Sequence, residues 1–251
     1  MDFTILHCTF VLQKSRSPLV PPWDEHIGKK DDYLLLKRAF LMTIDPTTGY
    51  AVPLRQTNID WTIRSEQGLL VSLEGIQATL RAFDTVESCF EAFKQNANKR
   101  IFLITSGSKG RILVPALIEN LRHQVQRNYP LYVFCSNTNM IQVADVEPAN
   151  EWALGFTNYL DVFNNEDLLL ERIVFNAADY FFAQGELLRN AGDLRNAREK
   201  YQWSRRLLQR YDKMNPRNIN TAKHQRLTTI LEEIEKELFA ENTDADQSAE
   251  P

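Results

Sequence analysis

A short stretch rich in glycine and hydroxyl groups is the part of this sequence best suited to bind a ligand. It follows RIFLITS (100–106), a continuously apolar run of the kind that forms a strand covered on both faces. Its candidate residues are Ser106, Gly107, Ser108, Lys109, Gly110 and Arg111. A strand that ends in Ser-Gly before a helix can present backbone N–H groups to an anion, and the helix dipole adds to the attraction. The pattern therefore indicates an anion-binding loop.

A structural role explains the same stretch. The residues match neither GxxxxGK[ST] nor GxGxxG, the two phosphate-binding patterns with a known mechanism. A tight strand-to-helix turn needs glycine in any case, because a positive φ is cheap only there. We favour the simple turn, and the anion site stays open as the alternative.

A second candidate surface is the basic stretch RNAREKYQWSRRLLQR (195–210). Arg198, Arg205 and Arg206 fall near one helical face, since seven residues make about two turns. Arginine recognises carboxylates well, so these residues, with Tyr201 and Arg210, predict a groove for an acidic peptide. We slightly favour the alternative, a solvated face that pairs with the glutamates of EEIEKE (232–237), although this stretch is the best candidate for binding a partner.

Composition excludes several classes of function. The formal net charge of −4 gives no general attraction to nucleic acid or to an anionic membrane, and no apolar run is long enough to span a bilayer. Cysteines 8, 89 and 135 are odd in number and far apart, as free thiols of a cytoplasmic protein would be. The scattered histidines have no ligand spacing, so we expect no metal, no cofactor and no catalytic residue.

The chain divides into four segments. Residues 1–56 are an N-terminal extension in which RAFLMTI and YAVPL flank DPTTG as a β-hairpin. Residues 57–164 form an α/β domain, and residues 165–240 are helical. Residues 241–251 are polar and acidic, which is typical of a disordered tail.

Strands and helices alternate within the α/β domain. The predicted strands are 58–63, 80–84, 100–106, 131–136 and 158–164, and the predicted helices are 69–80, 85–96 and 111–126, the last with Pro115 in its first turn. LLVSL (69–73) also alternates as a strand would, but the helical spacing continues to Leu80 and favours a helix. This order predicts a parallel sheet with helices, flavodoxin-like or receiver-like in size.

The helical segment resembles a tetratricopeptide repeat. Gly185, Leu188, Gly192-Asp193, Ala197, Tyr201 and Ser204 follow the order of small and aromatic residues in such a repeat. The resemblance implies an antiparallel helical hairpin with small residues at the close approach and Tyr201 between the helices. It covers about one repeat, which needs a further helix or a neighbouring surface to cover its face.

The α/β segment resembles an uncharacterised receiver-like domain found ahead of tetratricopeptide repeats and, in longer relatives, ahead of an ADP-ribosyltransferase-type domain. AFDTVESCFEAF, RIFLITSGSKGRILVPALI and LYVFCSN carry this resemblance. A phosphorylated receiver is disfavoured because Thr105-Ser106 stands where the acceptor aspartate belongs. A Toll/interleukin-receptor-like NAD-cleaving enzyme would use a cleft glutamate such as Glu147 or Glu151, although a surface glutamate is more often solvated.

These patterns together predict a non-catalytic cytoplasmic adaptor or regulatory module. Its partner is a protein or peptide, in particular an acidic one, bound by the helical segment. The alternative function is a regulatory domain that binds a small anion or a nucleotide through residues 106–111.

Overall fold

The computed structural model of this chain describes residues 3–8, 42–44, 51–53, 69–83, 85–128, 130–134, 151–217 and 219–247. It forms two compact units, residues 1–170 and 171–251, which are treated separately below. The strands are β1 (Phe3–Cys8), β2 (Met42–Ile44), β3 (Ala51–Pro53), β4 (Leu69–Leu73), β5 (Ile76–Phe83), β6 (Arg100–Ser106), β7 (Leu131–Phe134) and β8 (Leu160–Phe163). The helices are α1 (Val86–Gln95), α2 (Gly107–Arg127), α3 (Glu151–Leu154), α4 (Glu166–Asn190), α5 (Leu194–Met214) and α6 (Thr221–Gln247).

The first unit is a mixed α/β structure around one eight-stranded sheet, with the strand order β3-β2-β4-β5-β1-β6-β7-β8. Strands β5, β1, β6, β7 and β8 are mutually parallel, whereas β4, β2 and β3 add to one side in antiparallel fashion. The predicted α/β class is therefore confirmed. The antiparallel strands were not part of the predicted domain.

The N-terminal strand β1 lies at the centre of the sheet, between β5 and β6. The predicted hairpin of residues 1–56 is confirmed as β2 and β3, which pair antiparallel and continue the same sheet through β4. Strands β1, β2 and β3 of this segment are therefore part of the sheet. The predicted strand 58–63 lies outside the described residues.

The predicted helix over residues 69–80 is wrong, and the alternative of a strand at LLVSL is correct. Strands β4 and β5 form a hairpin in which Leu73 faces Ile76 across the two-residue turn Glu74-Gly75. Both turn residues have positive φ, 50° and 79°, which is the requirement of a type I′ turn. Val71, Leu73 and Ile76 are buried, so alternation rather than helical spacing was the real signal.

One face of the sheet carries the main apolar core. Helices α1 and α2 pack there against alternate strand residues such as Ile101, Leu103 and Val133. Helix α1 begins where predicted, because the Thr85 side chain accepts a hydrogen bond from the N–H of Ser88. On the opposite face Phe102 and Tyr132 are buried as well, so β6 and β7 are covered on both faces as their continuous apolar runs predict.

Buried amide side chains join the ends of these elements. The Asn128 side chain accepts a hydrogen bond from the N–H of Ile101 at 2.6 Å and donates one to the carbonyl of Gln124 at 2.8 Å. Gln124 in turn donates to the carbonyl of Phe93 at the end of α1. The first residues of β6 and the ends of α1 and α2 are therefore tied by side chains in a place that water does not reach.

The second unit is a bundle of α5, α6 and most of α4. Ring contacts between Phe175 and Tyr211, at 4.9 Å, and between Phe181 and Trp203, at 5.0 Å, place α4 and α5 antiparallel. Helix α6 packs beside α5 and buries an apolar stripe: Leu227, Ile230, Leu231 and Ile234. Leu227, Leu231 and Ile234 are spaced four and three residues apart, which is typical of one helix face.

The ends of two helices differ from the prediction. Helix α6 continues to Gln247, seven residues into the segment predicted to be disordered, and residues 248–251 lie outside the described part. Helix α2 begins at Gly107 instead of Arg111, so Pro115 stands in the helix interior rather than in the first turn. The backbone leaves helical geometry at Leu121, where α2 is kinked. No helix within the described ranges is both long and apolar enough to cross a membrane.

Replacing Asn128 by alanine should destabilise the first unit by about 1–3 kcal/mol, because the buried N–H of Ile101 loses its acceptor. The free energy of unfolding from urea titration followed by circular dichroism measures the loss. Asn120→Ala is the matched control on the same helix, since the Asn120 side chain bonds only an exposed carbonyl. Its effect should stay within about 0.5 kcal/mol, and equal losses for the two variants would refute the role given to Asn128.

Candidate functional site

The residues predicted as an anion-binding loop form the first turn of α2. Ser106 is the residue before the helix, and its hydroxyl accepts a hydrogen bond from the N–H of Lys109 at 3.3 Å. The Ser106 and Ser108 hydroxyls lie 3.2 Å apart. One first-turn N–H is therefore satisfied from within the chain, which leaves fewer donors for an anion than an uncapped turn offers.

Gly110 has a packing role. A Cβ atom at this position would lie 3.1 Å from the Trp152 ring and 3.2 Å from the Thr105 methyl group. Only glycine lets the indole of α3 approach the helix so closely. The indole N–H of Trp152 is buried and has no hydrogen-bond partner among the residues that the structure describes, so a donor without an acceptor lies beside this turn.

The turn lies at the carboxyl edge of the parallel strands. Strand β1 has β5 on one side and β6 on the other, and β5 and β6 both follow it in the chain. Ser106 is level with Phe134 at the end of β7, and Phe134 is level with Phe163 at the end of β8. Register therefore places a serine and two half-buried aromatic residues side by side on one face of this edge.

The basic residues of α5 take different positions in the second unit. Arg206 is exposed, and Arg205 is half-buried. Arg198 donates to Glu235 of α6 at 3.0 Å, which is the pairing with EEIEKE that the alternative interpretation predicts. Arg205 and Arg206 make no ion pair within the described part of the chain.

Tyr201 is fully buried between α4 and α5, so its ring belongs to the packing of the helices and not to an exposed binding face. A Cβ atom at Gly185 would lie 2.8–2.9 Å from ring atoms of Tyr201. The Tyr201 hydroxyl donates to Glu186 at 2.9 Å. Burial raises the pKa of this hydroxyl well above its usual range, and the bond to Glu186 acts in the same direction.

Charged side chains link α6 to α4. Lys223 pairs with Asp179 and lies 4.8 Å from the ring centre of Phe175, a cation–π arrangement. Burial lowers the pKa of the Lys223 amine, and the positive charge of Arg226 lowers it further. Arg189 donates to Glu233, which raises the pKa of its guanidinium. These contacts were not predicted, since helical spacing alone does not show which charges on separate helices meet.

The described residues contain no group of three or more His, Cys, Asp or Glu side chains arranged to hold a metal ion. The Cys89 thiol is buried in the core of the first unit. Glu151 begins α3, whereas Glu147 and Cys135 lie outside the described residues. No protein-family model, curated protein sequence or solved structure matches this chain.

Replacing Gly185 by alanine should destabilise the second unit by about 1–3 kcal/mol, because the added methyl group overlaps a ring that is buried and hydrogen-bonded. Helix propensity alone would make the alanine variant more stable by about 1 kcal/mol, so a loss of stability would show that the contact with the ring outweighs it. The free energy of unfolding is measured by chemical denaturation followed by helical ellipticity. In a Tyr201→Leu background most of the penalty should disappear.

Gly155→Ala is the control for this substitution. Its Cβ atom would meet its nearest heavy atom at 3.5 Å, an ordinary contact, so only a small change is expected. A Gly185→Ala protein that is more stable than the original would disprove the close approach.

Proposed function

We propose that this chain is a non-catalytic protein-interaction module whose helical unit binds an acidic segment of a partner. The observation that carries the proposal is the unequal use of the arginines on α5. Arg198 already holds a carboxylate of α6, whereas Arg205 and Arg206 make no ion pair in the part of the chain that the structure describes. A guanidinium group that pairs with no carboxylate of its own chain can bind a carboxylate of another protein.

The setting of these two arginines favours binding. Ser204, Leu207 and Leu208 beside them are buried, so α5 is fixed in place beneath the guanidinium groups. Arg205 is half-buried. Because a half-buried side chain has fewer rotamers than an exposed one, it loses less conformational entropy than an exposed arginine would when a partner binds. Electrostatic attraction then mainly speeds encounter and selects acidic partners.

Two resemblances support the same role. The packing of Gly185 on Tyr201, together with buried Ala197 and Ser204, is what a tetratricopeptide-like hairpin needs. Numbered in chain order, the parallel strands of the first unit follow the order 2-1-3-4-5, which supports a flavodoxin-like or receiver-like domain. A receiver-like domain that lacks its acceptor aspartate is better suited to docking than to phosphoryl transfer.

The double variant Arg205→Glu/Arg206→Glu should weaken binding of a fluorescein-labelled glutamate-rich peptide by about tenfold or more, because like charges replace two charge-assisted contacts. Fluorescence anisotropy at low and at physiological salt measures the affinity, and added salt should weaken it.

Arg122→Glu/Arg127→Glu is the matched control, since both arginines are exposed on α2 and the net charge changes equally. This pair should leave the affinity within about twofold of the original. If the two double variants lose affinity equally, general charge and not α5 attracts the peptide, and the proposal fails.

A second function is favoured by the strand order. In open α/β sheets ligands bind outside the carboxyl ends of the strands, where the chain order reverses, and here that point lies between β1 and β6. The first turn of α2 follows β6 directly, with Ser106 level with Phe134. A helix N-terminus beside aromatic residues suits an anion that carries a flat ring, such as a nucleotide.

Thermal unfolding with phosphate, with nucleotides and with nicotinamide dinucleotide tests this second function. A ligand at a hundred times its dissociation constant adds about 2.7 kcal/mol to stability, which raises the midpoint by several degrees. Lys109→Ala and Ser106→Ala should each reduce the rise, whereas Lys99→Ala, at the other end of β6, should not. If no ligand moves the midpoint, the second function is excluded and the interaction module is unaffected.

A further inference from the structure

Two arginines flank the turn between α4 and α5 and hold the same stretch of α6 from two sides. Arg189 donates to Glu233 at 3.0 Å and to Glu237 at 3.2 Å. Arg198 donates to Glu235 at 3.0 Å. Residues four apart share a helix face, whereas a residue two positions away lies on another side. Arg189 and Arg198, called the arginine clamp below, therefore grip α6 across its width.

The part of α6 that the clamp holds is bound less firmly than the part before it. Leu227 and Ile234, nearer the start of α6, are buried. Asn220 caps the helix, because its side chain accepts a hydrogen bond from the N–H of Lys223. None of the residues 235–240, called the outer segment, is buried. Leu238 is half-buried, and Phe239 is 75% exposed. The apolar attachment of α6 thus weakens at Ile234, and Glu235 and Glu237 supply ion pairs beyond it.

Such ion pairs hold a helix only loosely. The Glu235 side chain is 56% exposed and that of Glu237 is 48% exposed. Exposed ion pairs add little stability, so a segment held mainly by them opens and closes without unfolding its unit. The outer segment is therefore exchangeable, while the buried stripe keeps the rest of α6 in place.

We propose that the arginine clamp is a docking site for an acidic helix of a partner protein. The carboxylates of Glu235 and Glu237 in the outer segment, with that of the neighbouring Glu233, occupy the clamp until such a helix displaces them. The proposal rests on the proposed interaction function and names the partner's chemistry. The partner carries glutamates at positions i, i+2 and i+4 of a helix. Charge complementarity fixes this choice, because the clamp already selects that pattern in Glu233, Glu235 and Glu237. The planar fork of an arginine also matches the geometry of a carboxylate.

The test uses the full chain and a labelled peptide of residues 228–240, TTILEEIEKELFA. Anisotropy titration should show binding, with peptide concentrations reaching the millimolar range because the tethered outer segment competes at an effective concentration of that order. Hydrogen exchange of the backbone amides of 235–240 should rise when the peptide is saturating. A peptide in which Glu233, Glu235 and Glu237 are glutamine should bind at least about tenfold more weakly.

Variants of the intact chain locate the site. Arg189→Gln/Arg198→Gln should lose peptide affinity by at least about tenfold, whereas Arg205→Gln/Arg206→Gln should keep it. Circular dichroism verifies that each variant is folded, and the glutamine peptide tests the original chain without any substitution. Failure of the labelled peptide to bind, or binding without faster exchange in the outer segment, overturns the clamp.

The two proposals fail separately. If glutamate-rich peptides bind through Arg205 and Arg206 while the 228–240 peptide does not bind, the clamp is wrong and the interaction module stands. If neither peptide binds, both proposals are wrong.

Discussion

The first unit depends on the pairing of β1 with two strands that lie far from it in sequence. Residues 3–8 bond β5 on one side and β6 on the other, in parallel register throughout. Without β1 the sheet would fall into an antiparallel part, β3-β2-β4-β5, and a parallel part, β6-β7-β8. The switch point between β1 and β6, beside which the candidate anion site lies, exists only because β1 joins these parts. The strand is thus the support of both the core and the site.

The second unit depends on close approach instead of backbone pairing. Gly185 allows the Tyr201 ring to pack on α4, and that ring then bonds Glu186. With Tyr201 buried inside, the arginines of α5 divide by position into those that face α6 and those that face solvent. Packing thereby decides which of these arginines pair with carboxylates of α6. The same glycine was visible in the sequence because a small residue stood at the expected distance from an aromatic one.

Local patterns predicted most elements of both units. Each of these patterns lies within one element and has a local physical cause. They are the continuous apolar run of β6, the Thr85 cap of α1 and the spacing of Leu227, Leu231 and Ile234 in α6. The β4–β5 hairpin was not favoured because Leu69 and Leu73 satisfy helical and strand spacing equally, and the deciding turn has a glutamate at positive φ. The central place of β1 was missed because strand order depends on distant partners. The contacts of Arg189 with α6 were missed for the same reason, whereas the pairing of Arg198 with EEIEKE was one of the two interpretations of the basic stretch.

The position of β1 also sets an order of events during synthesis on the ribosome. Residues 3–8 emerge well before residues 76–83 and 100–106, the two stretches that they must bond. Contacts between residues so far apart in sequence form slowly, because the chain loses conformational entropy in closing the loop before any strand pairing stabilises it. Until β1 is inserted, β5 and β6 each present an open edge to any neighbouring chain, and open edges are where aggregation begins. The nascent protein is therefore most in need of a chaperone between the completion of β6 and the arrival of β1 at the centre of the sheet.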